Sequence, residues 1–249
     1  MGKNTIIAIL LVIIVGLLYQ AGYDDKGSRV NSIHENSTKN TLANLFAIDL
    51  IGTQISFLEN KIGPAKWAGD KVKTYELSDG CSLTIYRGDN DSIVAATAFI
   101  TEEGCNIDVN KLTLGDPRGF FSAKELTVEN FEKEFGKLLY YSDCMGQWCG
   151  NAFDPVDYAV YRGNKHNGYI DIAIGTYYSG DYEIYSKWVN LMIEKEGDDW
   201  VISRGYNCDP YKYQSIAGEV LKDRVASRVY MGRNLMHNLE VTDQCPETR

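Results

Sequence analysis

The sequence predicts an α+β fold in which helices pack on one face of an antiparallel sheet. Short apolar runs are separated by turns rich in Gly, Asp and Asn, which is typical of strands joined by hairpins. Apolar residues at helical spacings occur in separate segments and do not alternate with every strand, so a parallel sheet is not expected. The 249 residues are 44% hydrophobic and 24% charged, which is the composition of a globular protein.

The N-terminal segment predicts export. Lys3 precedes an apolar run over residues 5–19, and two aspartates follow shortly after it. This pattern fits residues 1–23 as a signal peptide or as a single-span signal anchor, and the sequence leaves both open. We expect membrane contact only through residues 5–23. Residues 24–40 are almost entirely polar and predict a linker.

Residues 41–120 are predicted to form a first unit, a helix followed by a meander of strands. Apolar residues at three- and four-residue spacings predict a helix over residues 41–62, which Gly63 and Pro64 end. Three strand-like runs follow the helix. They cover residues 72–77, 81–86 and 93–100.

Residues 121–207 are predicted to form a second unit of the same kind. Thr127 can cap a helix over residues 128–135, and Gly136 then stands 73 residues after Gly63. The triplet Tyr-Arg-Gly at residues 161–163 repeats the triplet at residues 86–88 with an offset of 75 residues. Similar elements at a nearly fixed offset indicate a tandem repeat, and chance similarity is the alternative.

The C-terminal part of the chain is predicted to add a hairpin and a helix. Residues 187–196 and 200–206 read as two strands joined by a turn at Gly197. Residues 215–237 carry a helical apolar stripe. The last segment, residues 208–249, is therefore expected to be a helix with a disulfide-pinned tail.

Six cysteines follow the apolar N-terminal run, and an even number in an exported chain predicts three disulfides. A hairpin between two of them and a tight loop between two others favour particular pairs, but 15 pairings are possible and the sequence leaves the pairing open. A zinc site is disfavoured because there is no CxxC pair and no nearby His. The favoured pairs are Cys81 with Cys105, Cys144 with Cys149, and Cys208 with Cys245.

The first unit resembles known binding modules. A helix ending in Gly63-Pro64, a meander and a disulfide within it, all in tandem, resemble the β-lactamase inhibitory protein architecture. The single unit is also similar to small outer-membrane assembly lipoproteins, whose helix ends in a Leu-Gly-x-Pro signal. The resemblance covers residues 52–105 and, less closely, residues 125–175, where Gly136-Lys137 stands in place of Gly-Pro. It implies a non-enzymatic role in protein binding or assembly.

A search for catalytic chemistry finds no recognisable motif. The three histidines, at positions 34, 166 and 237, belong to no nucleophile elbow, zinc-protease helix or phosphate-binding loop. We therefore predict no catalytic, cofactor-binding or metal-binding residues and expect that the protein is not an enzyme. The alternative is a hydrolase of envelope glycan, whose paired carboxylates the sequence does not identify.

Tyrosine-rich loops predict an interaction surface. Tyrosines stand among Gly, Ser and Asp between two predicted strands, a composition that is common at binding surfaces. The alternative is that these tyrosines only cover the sheet or pair across strands. The predicted patch consists of Tyr177, Tyr178, Tyr182, Tyr185 and Trp148.

Charge and compartment complete the functional prediction. The 25 basic and 34 acidic residues give a net charge of −9, which argues against nucleic-acid binding and favours basic partners. We expect an extracytoplasmic protein, periplasmic or secreted, with its N-terminal segment as the possible anchor. Its expected role is to bind an unknown protein or envelope component without a cofactor.

Overall fold

The computed structural model describes residues 41–100, 105–112, 126–145, 149, 155–177, 182–243 and 245. All of them belong to one compact unit that spans residues 40–249. The predicted signal or anchor segment and the predicted linker lie outside the described residues. Within the described ranges, no helix is both long enough and apolar enough to cross a membrane.

One mixed α+β unit is observed, and its centre is an antiparallel sheet of eight strands. The strands run in the spatial order β1-β2-β3-β4-β8-β7-β6-β5, and every neighbouring pair is antiparallel. Their bounds are Trp67–Ala68 (β1), Val72–Glu76 (β2), Ser82–Arg87 (β3), Ile93–Phe99 (β4), Leu139–Ser142 (β5), Val156–Tyr161 (β6), Asp171–Tyr177 (β7) and Arg228–Gly232 (β8).

The described part of the chain contains eight α-helices, and most of them cover one face of the sheet. Their bounds are Leu42–Leu45 (α1), Ile55–Ile62 (α2), Val128–Phe135 (α3), Tyr182–Glu196 (α4), Asp198–Ile202 (α5), Gly205–Cys208 (α6), Gln214–Leu221 (α7) and Leu235–Asn238 (α8). Short 3-10 turns occupy Ile48–Leu50, Val109–Leu112 and Lys165–Asn167.

The two faces of the sheet carry different cores. The larger core joins apolar residues of α2, α3, α4 and α7 to one face of the strands. The smaller core lies on the opposite face and is rich in tyrosine, and the short helix α8 covers part of it with Leu235 and Met236. Strand alternation sends neighbouring side chains to opposite faces, so Val229 and Met231 join the larger core while Tyr230 joins the smaller one.

The local signals around α3 are confirmed by the structure. The helix spans Val128–Phe135, and the Thr127 hydroxyl accepts a hydrogen bond from the Asn130 N–H at 3.2 Å. Gly136 follows it with a φ of 93°, and Gly63 ends α2 with the same φ. Both glycines adopt a backbone conformation that side-chain-bearing residues disfavour.

The predicted helix over residues 41–62 is wrong as a single element. It is divided into α1, a 3-10 turn and α2. Gly52 has a φ of 96° and its N–H donates to the carbonyl of Ile93, while the N–H of Ile55 donates to the carbonyl of Asp91. Backbone pairing with the start of β4 therefore replaces helical hydrogen bonds in the middle of the segment.

The predicted hairpin over residues 187–206 is also wrong. The chain forms α4 and α5, with Trp188, Val189 and Met192 buried at helical spacing. Gly197 has a φ of 86° and its N–H donates to the carbonyl of Ile193, so it ends a helix and is not the centre of a hairpin turn.

The predicted helix over residues 215–237 is wrong as a single element. Helix α7 ends at Leu221, residues 228–232 form the central strand β8, and the chain is helical again only from Leu235 in α8. Tyr230 pairs with Thr97 of β4 on one side and with Ala173 of β7 on the other. Tertiary pairing on both sides overrides the helical apolar spacing of this segment.

Three disulfides staple the fold, and they join the pairs that the sequence favoured. The Cα–Cα distances are 5.5 Å for Cys81–Cys105, 5.6 Å for Cys144–Cys149 and 5.2 Å for Cys208–Cys245. The two predicted units, α2-β2-β3-β4 and α3-β5-β6-β7, lie on opposite sides of β8 in the sheet. Their origin by duplication stays a prediction.

Candidate functional site

The predicted interaction patch is only partly described by the structure. Tyr177 is the last residue of β7 and is half-buried. Tyr182 and Tyr185 lie in the first turn of α4, where only their backbone is described. Tyr178 and Trp148 lie outside the described residues. The patch as a whole therefore stays a prediction.

At the Tyr177 end of the sheet, an arginine lies between two aromatic rings. The guanidinium carbon of Arg228 is 4.2 Å from the centre of the Phe99 ring and 4.5 Å from the centre of the Tyr177 ring. A guanidinium over an aromatic face is stabilised by the ring quadrupole. We call Phe99, Arg228 and Tyr177, all three of them half-buried, the Arg228 surface.

The strand register explains this arrangement. Arg228 begins β8 and pairs with Phe99 at the end of β4 and with Gly175 near the end of β7. Arg228 and Tyr230 are two residues apart in one strand, so both lie on the face opposite the main helices. The chain leaves β4 and β7 at this end of the sheet, next to the Arg228 surface.

A buried tyrosine network lies beside the Arg228 surface. The Tyr158 hydroxyl donates to Oδ1 of Asp143 at 2.6 Å, and the rings of Tyr158 and Tyr230 meet edge to face at 5.3 Å. Burial raises the pKa of the Asp143 carboxyl, and the hydrogen bond from Tyr158 acts in the opposite direction. We call Asp143, Tyr158 and Tyr230 the tyrosine network.

A second group of polar side chains is buried on the helix-covered face. Ser142, Asp157 and Thr176 lie in register across β5, β6 and β7, and none is more than 2% exposed. Burial raises the pKa of Asp157 well above its ordinary value, while the nearby Ser142 side chain and the charge of Arg224 lower it less strongly. Within the part of the chain that the structure describes, neither carboxyl oxygen of Asp157 meets a hydrogen-bond donor at bonding distance and angle.

The raised pKa values of Asp143 and Asp157 bear on the hydrolase alternative. A raised pKa is expected of a general acid, but Asp157 is only 2% exposed and faces the helix-covered core. The cleft lined by Tyr141, Arg162 and residues of the α8 region has no carboxylate in its lining. Among the described residues, no group of three or more His, Cys, Asp or Glu side chains is placed to hold a metal ion.

Sequence reasoning identified Tyr177 but missed Arg228, Phe99 and the tyrosine network. Residues 228–232 read Arg-Val-Tyr-Met-Gly, and their β-branched and aromatic residues are typical of a strand. The helical apolar stripe of residues 215–237 obscures this signal. Interpreted as a strand, the segment places Arg228 and Tyr230 on one face.

Comparisons with known proteins identify no relative of this chain. No protein-family model matches the chain, and neither the curated proteins nor the solved structures contain a significant match. The resemblance to β-lactamase inhibitory protein and to outer-membrane assembly lipoproteins stays a prediction. The function has to be argued from the disulfides, the Arg228 surface and the charge of the chain.

Proposed function

We propose that the protein is a non-catalytic, extracytoplasmic binding protein that contacts another protein through the Arg228 surface. Three disulfides are consistent with an exported chain in an oxidising compartment. The observation that carries the proposal is the position of Arg228 between the rings of Phe99 and Tyr177 at one end of the sheet.

The chemistry of these three residues supports a protein interface. Arginine and aromatic residues are enriched at the centres of interfaces and dominate their binding energy. Stacking between two rings restricts the guanidinium of Arg228 before a partner arrives, so less conformational entropy is lost on binding. The rings of Phe99 and Tyr177 offer half-buried apolar area next to the guanidinium of Arg228. This combination suits a partner surface on which a carboxylate is surrounded by apolar side chains.

The negative net charge of the chain favours a basic protein as the partner. A charge of −9 attracts basic proteins over distances beyond direct contact and raises their association rate. A basic secreted enzyme that the protein inhibits is one form of this proposal, and a basic envelope-assembly factor is another. Both predict an association rate that falls as ionic strength rises.

The test uses the full chain in its exported form, crosslinked in the extracytoplasmic fraction of its own cells. We expect a stoichiometric protein partner that is retained by wild type and lost from Tyr177→Ser and Arg228→Lys. The Lys variant keeps the positive charge but loses the planar guanidinium. The matched control is Tyr211→Ser, which removes a tyrosine that is 66% exposed and lies in the turn before α7, outside the Arg228 surface.

Two results would count against this proposal. The first is a partner that all three variants retain equally, which would move the interface elsewhere. The second is turnover of envelope glycan by the purified protein that Asp143→Asn abolishes while circular dichroism shows an unchanged fold. That second result would favour the hydrolase instead.

A further inference from the structure

A polar cleft of about 160 Å³ opens at the other end of the sheet from the Arg228 surface. It lies where β6 ends, where β7 begins and where the chain leaves β8 for α8. Its volume is sufficient for a small polyatomic ion with part of its hydration shell. The lining residues are Tyr141, Arg162, Asn234, Met236, His237 and Thr242.

Nearly all of these side chains can donate a hydrogen bond. A guanidinium, a phenol, a carboxamide, an imidazole and a hydroxyl line the cleft, and Met236 is the one apolar member. Arg162 contributes a planar cationic guanidinium to this lining. Burial raises the pKa of Tyr141, so its hydroxyl keeps its proton and remains a donor.

Asp171 fixes the two walls of the cleft to each other. It is 4% exposed, and its Oδ1 accepts from the N–H of Gly163 at 2.9 Å. Its Oδ2 accepts from Nη1 of Arg162 at 3.3 Å and from the N–H of Leu235 at 3.2 Å. Three donors from two separate turns therefore share one buried carboxyl group, which holds the turns together.

This anchoring leaves the guanidinium facing the cleft. Asp171 accepts from one nitrogen of Arg162, whose side chain remains 51% exposed. Asn234 follows β8 with a φ of 47°, the left-handed conformation, and begins the turn into α8. Nδ1 of His237, another lining residue, lies 3.3 Å from Oδ1 of Asp243.

We infer that this cleft binds a small oxyanion, such as a phosphate or carboxylate group, through Arg162 with Tyr141 and Asn234. Arginine presents a planar set of donors that matches the oxygens of these groups. The walls are held in place before the ligand arrives, which reduces the entropy lost on binding. The inference is independent of the proposed function, because the cleft and the Arg228 surface lie at opposite ends of β8.

The test is a titration of the isotopically labelled exported form followed by nuclear magnetic resonance. The probes are inorganic phosphate, acetate and glycerol 3-phosphate, each compared with sodium chloride at equal ionic strength. We expect saturable shifts of the Arg162 Nε–H and of the amides of residues 234–237, with a dissociation constant below about 10 mM for at least one probe. Tighter binding of glycerol 3-phosphate than of phosphate would indicate an oxyanion carried on a larger molecule.

Three variants decide whether the cleft is responsible. Arg162→Gln should weaken binding by about tenfold or more, and Tyr141→Phe by about threefold to tenfold, because charged hydrogen bonds contribute more than neutral ones. Tyr141→Phe keeps the aromatic packing, so it remains informative if Arg162→Gln loosens the turn at Asp171. The control Lys133→Gln, on helix α3, removes one positive charge as Arg162→Gln does. It should bind the probes as tightly as wild type does.

Two results would overturn the inference. One is shifts that match those of chloride for all three probes. The other is saturable binding that neither Arg162→Gln nor Tyr141→Phe weakens relative to Lys133→Gln. Neither result would bear on the partner that the Arg228 surface is proposed to bind, so the two proposals fail separately.

Discussion

At the scale of single residues, the absence of a side chain at Gly175 allows the ring of Tyr230 to lie across β7. A Cβ at Gly175 would come within 2.7 Å of the Tyr230 ring and 2.8 Å of a Val156 methyl group. These contacts are shorter than van der Waals distance, and the tyrosine network leaves the ring no free space. Glycine is therefore required here for close approach rather than for an unusual φ.

We expect Gly175→Ala to destabilise the fold by about 1–3 kcal/mol, which is the usual cost of overpacking a core. The measurement is equilibrium unfolding in urea. A double-mutant cycle with Tyr230→Leu provides the control, because the smaller side chain removes the clash with the ring and leaves only the clash with the Val156 methyl group. The alanine should then cost less in the Tyr230→Leu background, and an equal cost in both backgrounds would contradict the packing argument.

Asp157 is predicted to make stability depend on pH. Burial raises its pKa, so the folded state holds the proton more tightly than the unfolded state does. The stability from this proton is complete below the unfolded pKa of about 3.9 and is lost as pH rises toward the raised pKa of the folded state. At neutral pH the buried carboxyl group therefore lowers the free energy of unfolding, and an uncharged side chain at this position would not.

We therefore compare Asp157→Asn with wild type at two pH values. The difference in the free energy of unfolding, variant minus wild type, should be about 1 kcal/mol larger at pH 7 than at pH 4. Urea unfolding at both pH values measures this difference. Thr176→Val, a neighbouring change that does not titrate, should give the same difference from wild type at both. A loss of stability in Asp157→Asn at pH 7 would show instead that the carboxylate is ionised and paired with Arg224.

At the scale of elements, the edge strand β5 is protected by side chains. Oδ1 of Asn207 accepts from the N–H of Ser142 at 3.0 Å, and its Nδ2 donates to the Ser142 carbonyl at 2.8 Å and to the Val241 carbonyl at 3.1 Å. Gln214 donates to the carbonyl of Leu138, the residue immediately before this strand. The side-chain amides of Asn207 and Gln214 thus hydrogen-bond to backbone groups that could otherwise pair with a strand of another chain.

Asn207→Ala should therefore destabilise the fold by about 2–4 kcal/mol, since it leaves several buried backbone groups without a partner. It should also promote association through β5, which size-exclusion chromatography would detect. The matched control is Asn238→Ala, whose amide donates to the Arg233 carbonyl at 2.6 Å in an exposed turn. That change should cost no more than about 0.5 kcal/mol.

The elements that the sequence predicted correctly are those whose signals are local. Helix α3 has a capping threonine before it and a glycine after it, and strands β2, β3 and β4 are separated by turn residues. Helix α4 was mistaken for a strand because a short apolar run fits both periods. Gly197 was informative, but it was interpreted as a hairpin turn and not as a helix end.

At the scale of the whole molecule, the sheet depends on a strand that arrives from the C-terminal region. Strand β8 pairs with β4 and β7, which begin about 135 and 57 residues earlier in the chain. The composition of residues 228–232 could have identified β8 as a strand, but no local pattern identifies such distant partners, so the Arg228 surface was not predictable. The class of fold was predictable because it needs only the number and kind of elements.

The Cys208–Cys245 disulfide encloses the segment that contains α7, β8 and α8. Joining residues 37 apart restricts the unfolded chain more than joining residues 5 apart, as Cys144–Cys149 does. We therefore expect Cys208→Ser with Cys245→Ser to cost about 3–4 kcal/mol, and Cys144→Ser with Cys149→Ser about 2 kcal/mol. Urea unfolding of the oxidised proteins measures both losses.

Hydrogen exchange can show whether removing the Cys208–Cys245 disulfide destabilises the central strand β8 in particular. If the long loop is what holds β8 between β4 and β7, amides of residues 228–232 should lose protection in the Cys208→Ser/Cys245→Ser variant before those of β2 and β3 do. The Cys144→Ser/Cys149→Ser variant should leave the protection of β8 nearly unchanged. Equal loss across all strands in both variants would mean that the sheet opens as one unit and that the disulfide acts only on the unfolded chain.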